Sequence, residues 1–351
     1  MLSFDVAELD NSPEVPVRKG GPGRMSRDAL YRQLDDTLAD VNERLGGLPS
    51  PAEARAIWDE LWVHDTHNST AIEGNTLILS EVERLLHDGL AVGDKELKDY
   101  MEVKGYSEAA TWVYGHALTP EVDGDGELLT LTEVRQVHYM AMTPVWSVAP
   151  HPEAGPNEGP GSFREHDIHP FPSGMTPPSW ALVEPRLRDW LDEVSALRET
   201  TLHPMEAAAA LHVGFEQVHP FIDGNGRTGR LLLNLVLCRL GYAPAIIQNR
   251  ERSKYLRALR QADSGNPGPL GEQIARAVLD NVLRFVVPAL AGPARLVPLP
   301  SLATPGLSAV ALRAAAARGR LKAQRNDGGQ WMSSRMWVDE YLASKYRRDH
   351  S

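Results

Sequence analysis

Twelve consecutive residues concentrate the chemistry of this sequence: His219-Pro220-Phe221-Ile222-Asp223-Gly224-Asn225-Gly226-Arg227-Thr228-Gly229-Arg230. Gly224 and Gly226 leave backbone N–H groups unobstructed, and the helix predicted from about Gly226 onward points its unpaired N–H groups at the same place. Arg227 and Arg230 share one face of that helix, so both can donate forked hydrogen bonds to neighbouring phosphates. Asp223 offers the oxygen ligand that Mg²⁺ prefers. The segment therefore predicts a site for phosphate groups.

The composition is that of an ordinary globular protein. The chain has 351 residues, 42% of them apolar and 24% charged, which is enough for more than one module. No apolar run reaches the roughly 20 residues that span a bilayer, so no membrane partner is expected. The first residues lack the order of a secretion signal and the only cysteine is Cys238, so we expect a cytoplasmic, disulfide-free protein. The net charge of −11 argues against wrapping nucleic acid with the whole surface, but it leaves room for a small basic module.

Apolar residues recur at helical intervals over most of the chain, which predicts a mainly α protein. Helices are predicted over 26–46, 50–69, 80–87, 95–117, 131–143, 180–196, 204–218, 226–240, 251–263 and 271–290. Residues 144–179 are rich in Pro and Gly, and the alternating piece 163–171 favours a loop with a short β-hairpin. Residues 1–25 are predicted to be a loose arm, and the prolines of 291–305 indicate a linker.

The opening segment satisfies, at every fixed position, the pattern His-x-Phe-x-(Asp/Glu)-Gly-Asn-Gly-Arg-x-x-Arg of the Fic domain family. The likeness extends to His203-Pro204 before the motif and to Leu231–Tyr242 after it. The resemblance implies a Fic-fold helical bundle with a β-hairpin flap. The expected domains are a disordered arm over 1–25, an N-terminal helical region over 26–118, a Fic core over 119–290, a linker over 291–305 and a C-terminal module over 306–351.

Family members of this type are mostly AMP transferases, which move AMP from ATP to a hydroxyl of a target protein and release pyrophosphate. The resemblance implies that His219 is the general base for a Ser, Thr or Tyr hydroxyl. It implies that Asp223 holds Mg²⁺, or Mn²⁺ in its place, between the α- and β-phosphates. The implied nucleotide-binding segment runs from an anion hole to the arginines that grip the β- and γ-phosphates: Gly224, Asn225, Gly226, Arg227, Thr228, Gly229 and Arg230.

Two further sets are implied by the family. Its flap, which holds the target peptide beside the base, resembles the segment Pro172, Ser173, Gly174 and Met175 before a Pro-Pro pair, although an ordinary surface loop would read the same. The positions that contact adenosine resemble Tyr255, Leu256 and Asp263, and helix packing is the alternative for each of them.

A second signature is Ser69-Thr70-Ala71-Ile72-Glu73-Gly74, which resembles the inhibitory motif (Ser/Thr)-x-x-x-Glu-(Gly/Asn) of one class of the family. A carboxylate at the end of this helix can pair with Arg230 and occupy the space of the γ-phosphate. ATP could then bind only in a pose unsuited to in-line attack. The resemblance therefore implies an autoinhibited enzyme in which Glu73 is the inhibitory residue.

The C-terminal module, 306–351, resembles the small winged helix-turn-helix modules of excisionase-like proteins. Its Lys and Arg residues outnumber its acids although the whole chain is acidic, which suits contacts to phosphates. DNA binding and docking of a protein partner, including a second copy in a homodimer, are both open.

Other functions stay open at this stage. A hydrolase that removes AMP from a modified protein could use the same site, with Glu73 orienting a water molecule. A branch of the family that phosphorylates proteins carries Lys where this chain has Gly226, so we discount that activity. The non-enzymatic alternative is a DNA-binding regulator with a Fic body, against which the intact His219 speaks. The expected partners of the enzyme are target proteins with a hydroxyl side chain, including the chain itself.

Overall fold

The computed structural model describes residues 25–45, 47–49, 55–117, 127–168, 175–290, 296–304, 306–326 and 329–348. This part of the chain is mainly helical, as the sequence predicts, and its thirteen α-helices run in the following order. They are α1 (Arg27–Leu45), α2 (Arg55–Ile72), α3 (Leu79–Asp88), α4 (Leu97–Ala117), α5 (Leu131–Trp146), α6 (Val183–Ser195), α7 (Pro204–Val218), α8 (Asn225–Arg239), α9 (Arg252–Asp263), α10 (Gly268–Asn281), α11 (Val287–Leu290), α12 (Ala309–Ala317) and α13 (Arg335–Arg348).

One small antiparallel sheet accompanies the helices. Its strands are β1 (Val297–Pro298), β2 (Gln324–Arg325) and β3 (Trp331–Ser333), and β3 lies in the middle. Val297 pairs with Ser333 on one side of β3, and Arg325 pairs with Trp331 on the other. Among the residues that the structure describes, no helix has the length and apolar character needed to cross a membrane.

Helix α8 lies at the centre of the bundle. Nearly every residue from Asn225 to Cys238 is buried, so this helix is covered on all sides by α4, α5 and α7. Helix α7 leads into it and begins where the sequence predicts, with Pro204 in the first turn and the His203 ring accepting a hydrogen bond from the N–H of Met205 at 3.2 Å. The short connection between α7 and α8, residues 219–224, is the first half of the segment His219–Arg230, and the second half forms the start of α8.

Helices α4 and α5 pack against each other beside α8. Gly105 of α4 touches the carbonyl oxygen of Ala141, and a Cβ at this position would overlap that oxygen, so the glycine allows the close approach. Helix α5 begins with a capping box in which Thr130 and Glu133 exchange hydrogen bonds. Glu133 also pairs at 2.6 Å with Arg239 at the end of α8, which ties the two helices together.

Helix α2 is anchored to α4 through buried polar groups. Asp65 accepts hydrogen bonds from Tyr114 at 2.6 Å and from Tyr106 at 3.1 Å. Asn234 of α8 donates to the same Tyr114 hydroxyl at 3.0 Å. Burial raises the pKa of Asp65 to about 6, although both tyrosines work against that rise. These contacts fix the rotation of α2 about its own axis, and its last turn consequently faces the start of α8.

The described part of the expected linker, residues 296–304, is folded. It contributes strand β1 and a 3₁₀ turn over Leu299–Leu302, and Val297, Leu299 and Leu302 are all buried. The prolines of 291–305 indicated a linker, whereas the described part of this run packs three apolar side chains into the core. The same cluster includes Leu312 and Val338 of the C-terminal module.

Two other predictions concern the helix over 271–290 and the β-hairpin within 144–179. The helix predicted over 271–290 is divided by a π-helical segment, Val282–Val286, between α10 and α11. Residues 147–168 and 175–179 contain no strand. The tip of the expected hairpin, with Pro172, Ser173 and Gly174, lies outside the described residues.

Substitution of Leu302 by Ala should destabilise the fold. The side chain is 2% exposed, so truncation leaves a cavity and should lower the free energy of unfolding by about 2–5 kcal/mol. Urea unfolding measures this loss. Val310→Ala is the matched control, because Val310 is 76% exposed and its truncation should change the unfolding free energy by less than about 0.5 kcal/mol.

Candidate active site

His219 closes α7 in a left-handed conformation. Its backbone angles are φ 46° and ψ 63°, and it is the only non-glycine residue with positive φ in the part of the chain that the structure describes. Such a conformation costs on the order of 1–3 kcal/mol and persists only where the surroundings hold it. Its N–H donates to the carbonyl of Phe215 at 3.1 Å, which ends the helix and turns the chain toward Asp223. Strained backbone conformations are common at functional sites, so the conformation of His219 supports a functional role for this residue.

The turn after His219 is closed by Asn225. The side-chain oxygen of Asn225 accepts from the N–H of Phe221 at 3.0 Å, and its side-chain nitrogen donates to the carbonyl of Phe221 at 2.8 Å. The side chain is thus used inside the turn, and only the backbone N–H of Asn225 is left for an anion. Gly224 adopts φ 77° and packs against Met142, so neither its conformation nor its surroundings admit a side chain.

His138 of α5 packs against this turn, although no sequence motif marks it as a site residue. Its ring stacks on Phe221 with 3.6 Å between centroids. Nδ1 accepts the N–H of Gly161 at 2.8 Å, so Nε2 carries the proton and donates to the carbonyl of Asp223 at 3.0 Å. Burial lowers the pKa of His138 to about 3, so the ring is neutral at pH 7. Nothing in the local sequence marks this histidine, since its partners are backbone groups far along the chain.

The ring of His219 is neutral at physiological pH. Burial lowers its pKa to about 4, and the Arg164 guanidinium lowers it further. The hydrogen bond to the backbone of Glu216 and the carboxylates of Glu73 and Asp223 oppose that shift. A neutral imidazole beside a helix N-terminus can accept a proton from an incoming hydroxyl.

Asp223 and Arg227 form a pair at the mouth of the site. Oδ1 of Asp223 accepts from the N–H of Gly224 at 2.6 Å and from Arg227 at 3.2 Å. Burial works to raise the pKa of Asp223, but the Arg227 guanidinium and the Gly224 N–H outweigh it, so the pKa lies below its usual range. Both contacts use Oδ1, which leaves the second oxygen for a cation. No cluster of three His, Cys, Asp or Glu side chains occurs among the described residues, so a divalent ion here would need ligands from a bound phosphate.

Arg227 carries unused hydrogen-bond donors. Its side chain is only 5% exposed, and its Nε and one terminal nitrogen have no hydrogen-bond partner among the described residues. Glu102 of α4 lies 3.5 Å from that terminal nitrogen. Buried donors without partners are rare in folded proteins, and a phosphate oxygen would satisfy them.

Arg230 is paired with the residue that the sequence analysis named as inhibitory. One terminal nitrogen lies 2.7 Å from Oε1 of Glu73, and the same guanidinium donates to the hydroxyl of Ser69 at 2.7 Å and to its carbonyl at 3.0 Å. The pKa of Glu73 lies below its usual range because Arg230 outweighs the effect of burial. A Cβ on Gly226 would lie 2.5 Å from Oε1 of Glu73, so the glycine makes room for the carboxylate.

The end of α2 is held by further contacts that the sequence did not reveal. Arg252, at the start of α9, donates from Nε to the carbonyl of Ile72 at 2.6 Å. The N–H of Asn249 donates to Asn68 at 2.9 Å, and Asn75 donates to Glu102 at 2.9 Å. The Glu73 carboxylate is therefore carried by a backbone that is fixed from two sides.

The three residues predicted to contact adenosine are Tyr255, Leu256 and Asp263, and each of them contacts other residues of the protein. Tyr255 is buried, its hydroxyl is 2.7 Å from Nε2 of His212, and it lies beside the Arg230 guanidinium. Asp263 accepts from Gln217 at 2.8 Å, and Leu256 is half-buried against the core.

Two residues of α8 and one of the predicted flap are also buried. Thr228 and Gly229 face the core, and a Cβ on Gly229 would lie 2.6 Å from Oε1 of Glu216. Met175, the described residue of the predicted flap, is buried.

The geometry brings a neutral imidazole, His219, and the carboxylate of Asp223 to the N-terminal end of α8, and it pairs Arg230 of that helix with the carboxylate of Glu73, which follows α2. The profile of the Fic/DOC family matches residues 128–237. The chain is a Fic-domain protein, as the motif predicted.

Curated and solved relatives agree with this assignment. Protein adenylyltransferase Fic of Drosophila melanogaster is 32% identical over 243 residues, which make up 68% of this chain and 44% of that protein. The chain thus spans less than half the length of this relative. The structure of Fic-1 from C. elegans is 26% identical with a TM-score of 0.61, and the match covers 74% of this chain and 72% of that chain. A Fic family protein from Desulfovibrio desulfuricans shares the fold at 22% identity and a TM-score of 0.54, with 90% of this chain and 98% of that chain covered.

Removal of the Glu73 carboxylate should increase nucleotide affinity. Glu73→Gln frees Arg230 for a γ-phosphate, and one charge-assisted hydrogen bond of about 1.5–3 kcal/mol corresponds to a gain of roughly tenfold or more for ATP. The affinity for AMP, which has no γ-phosphate, should change little. Isothermal titration calorimetry with both nucleotides measures the difference. Glu199→Gln, at an exposed carboxylate after α6, is the control, and an equal gain for both nucleotides would contradict the assignment.

Proposed function

We propose that this chain is an autoinhibited protein adenylyltransferase that transfers AMP from ATP to a Ser, Thr or Tyr hydroxyl of a target protein or of itself. The observation that carries the proposal is the neutral His219 ring beside the N-terminus of α8, where the buried Nε of Arg227 has no hydrogen-bond partner among the described residues. The named activity of the Drosophila relative supports the same assignment. A base, an anion hole and two guanidiniums are the groups that nucleotidyl transfer needs.

The chemistry follows from the positions of these groups. The target hydroxyl gives its proton to His219 as its oxygen bonds to the α-phosphorus of ATP. The bond from that phosphorus to the oxygen of the β-phosphate breaks, and pyrophosphate leaves. The backbone N–H groups of Asn225 and Gly226 face the charge that develops on the α-phosphate, and Arg227 binds the leaving phosphates. We propose Mg²⁺ as the ion at Asp223, where it would neutralise phosphate charge.

Autoinhibition follows from the Glu73–Arg230 pair. While Glu73 occupies Arg230, the γ-phosphate loses that cationic partner and meets a carboxylate in its place. Like charges at this distance repel, so ATP binds weakly or in another pose. Activation would require Glu73 to leave Arg230.

Removal of AMP is a second candidate, favoured by the 37% exposure of the Glu73 side chain and by its electrostatic contact with His219. A carboxylate there can orient water toward an AMP-modified hydroxyl. Incubation of a modified protein with the parent chain and with Glu73→Gly tests this reading: AMP release that requires Glu73 supports the hydrolase.

A DNA partner for the C-terminal module is a further proposal. Arg318 and Arg320 are exposed, whereas Lys322 pairs with Glu340 at 2.8 Å. A mobility-shift assay of the full chain compared with an Arg318→Ala/Arg320→Ala variant tests it. A homodimer, self-modification and the cytoplasmic location stay predictions.

His219→Ala should abolish transfer without loss of nucleotide binding. A positioned base contributes roughly 10²–10⁴-fold, and the ring makes no contact that would hold ATP. Transfer of label from α-labelled ATP, measured in the Glu73→Gly background, gives the rate, and γ-labelled ATP should leave no label in either protein. His87→Ala, at an exposed position of α3, should keep the full rate. Unchanged labelling in His219→Ala would remove the base from this position.

Asp223→Asn should weaken binding of the metal ion that supports transfer. The amide keeps the shape of the side chain but offers a weaker ligand to a hard cation. Titration of Mg²⁺ and Mn²⁺ in the same background should show a much higher half-saturating concentration than in the parent. Asp192→Asn, at an exposed position of α6, serves as the control. An Asp223→Asn variant with the parent's metal response would place the ion elsewhere.

A further inference from the structure

Arg164 is a buried guanidinium to which neither the motif nor the proposed chemistry assigns a role. Its side chain is among the largest fully buried ones, with 1% of the residue exposed. The carboxylates of Asp167 and Glu158 favour its charged form, but among the described residues neither lies within ion-pair distance of it. A buried guanidinium without a close ion pair needs hydrogen-bond acceptors in its place.

The guanidinium donates to three backbone carbonyls. Nε donates to the carbonyl of His219 at 2.9 Å, one terminal nitrogen to that of His166 at 3.0 Å, and the other to that of Pro178 at 2.6 Å. The backbone N–H of Arg164 also donates to the carbonyl of Pro220 at 2.9 Å. One planar side chain therefore joins the residue that carries the base to two neighbouring chain segments.

These two segments are the arms on either side of residues 169–174. The first arm, 163–168, contains His166, and the second arm, 175–180, contains Pro178. The arms are also joined directly, because the N–H of Trp180 donates to Oδ1 of Asp167 at 2.7 Å. The carbonyl of His219 belongs to the strained left-handed residue, so the Nε contact holds that conformation in place.

We infer that Arg164 is a positioning residue, which fixes the distance between His219 and the two arms and thereby sets where an acceptor hydroxyl meets the base. The inference rests on the proposed function. A misplacement of about 1 Å between base and acceptor costs on the order of 10²-fold in rate. Lysine cannot replace the fork, because a single ammonium does not span three carbonyls in one plane.

The charge of Arg164 provides a second test, which is the pH dependence of the transfer rate. The guanidinium lowers the pKa of His219, and the other groups that face the ring, Glu73, Asp223 and the backbone of Glu216, raise it. Loss of the positive charge should therefore raise the pKa of His219 and move the acid limb of the pH–rate profile to higher pH. Arg164→Lys keeps the charge and should leave that limb in place.

The experiment compares Arg164→Met, Arg164→Lys and Arg135→Met in the full chain carrying Glu73→Gly. Auto-modification is followed with α-labelled ATP from about pH 3 to pH 8, a range that spans the His219 pKa of about 4, and KM for ATP is measured separately. Arg164→Met should lose on the order of 10²-fold in kcat, with KM for ATP within about twofold and the acid limb shifted upward. Arg164→Lys should lose rate without the shift.

Arg135 is the matched control. It donates to the carbonyl of Gly161 at 2.8 Å and lies over the Phe163 ring at the start of the first arm, but it does not bind the carbonyls of His219, His166 and Pro178 that Arg164 joins, so Arg135→Met should keep kcat and the acid limb. Parent-like kcat in both Arg164 variants would overturn the inference, and so would an unshifted limb in Arg164→Met. If Arg164→Met does not fold, Arg164→Lys decides, because its rate must fall below that of the Arg135 control.

The proposed function can fail separately. A Glu73→Gly chain that transfers no AMP would refute the adenylyltransferase assignment. The pKa of His219, followed by NMR in the unlabelled protein, still tests the coupling: a value that is the same with Met and Arg at position 164 would overturn the inference without any catalytic readout.

Discussion

The buried guanidinium of Arg230 is the constraint on which this site depends. The central position of α8 takes Arg230 out of water, and a guanidinium at 3% exposure must be matched by acceptors. Glu73 and Ser69 supply them from α2, across 157 and 161 positions of the chain. Gly226 leaves the space that the carboxylate fills. The contact proposed as inhibitory therefore also supplies an acceptor that the buried Arg230 guanidinium needs, and a phosphate in place of Glu73 would supply one as well.

The two arginines of the motif are not independent. Arg230 contacts the end of α2 directly, whereas Arg227 reaches it through Glu102, which accepts from Asn75 just after the inhibitory motif. A movement of residues 73–75 thus changes the surroundings of both guanidiniums. Asn75 also receives the N–H of Leu77, so the turn that follows α2 is internally braced.

The sequence predicted the regular parts well where local signals are strong. Helix α7 begins and ends at the predicted residues, because Pro204 and the apolar period mark it, and α8 is displaced from its prediction by one residue. Where packing decides, prediction failed. The π-helical segment at Val282–Val286 and the folded run at Val297–Leu302 carry no local signature, since both owe their form to neighbours on other elements.

The same division separates the site residues that were predicted from those that were missed. His219, Asp223 and the arginines stand in a fixed pattern, and Glu73 was named by resemblance. His138 and Arg164 were missed, and both act on backbone carbonyls of the turn, His138 at Asp223 and Arg164 at His219. Every residue type has a backbone carbonyl, so a sequence pattern cannot show which side chain will donate a hydrogen bond to a given carbonyl. The turn that carries the base is consequently held by residues that only the folded structure identifies, which is why the strain at His219 can persist without any unusual residue in the motif itself.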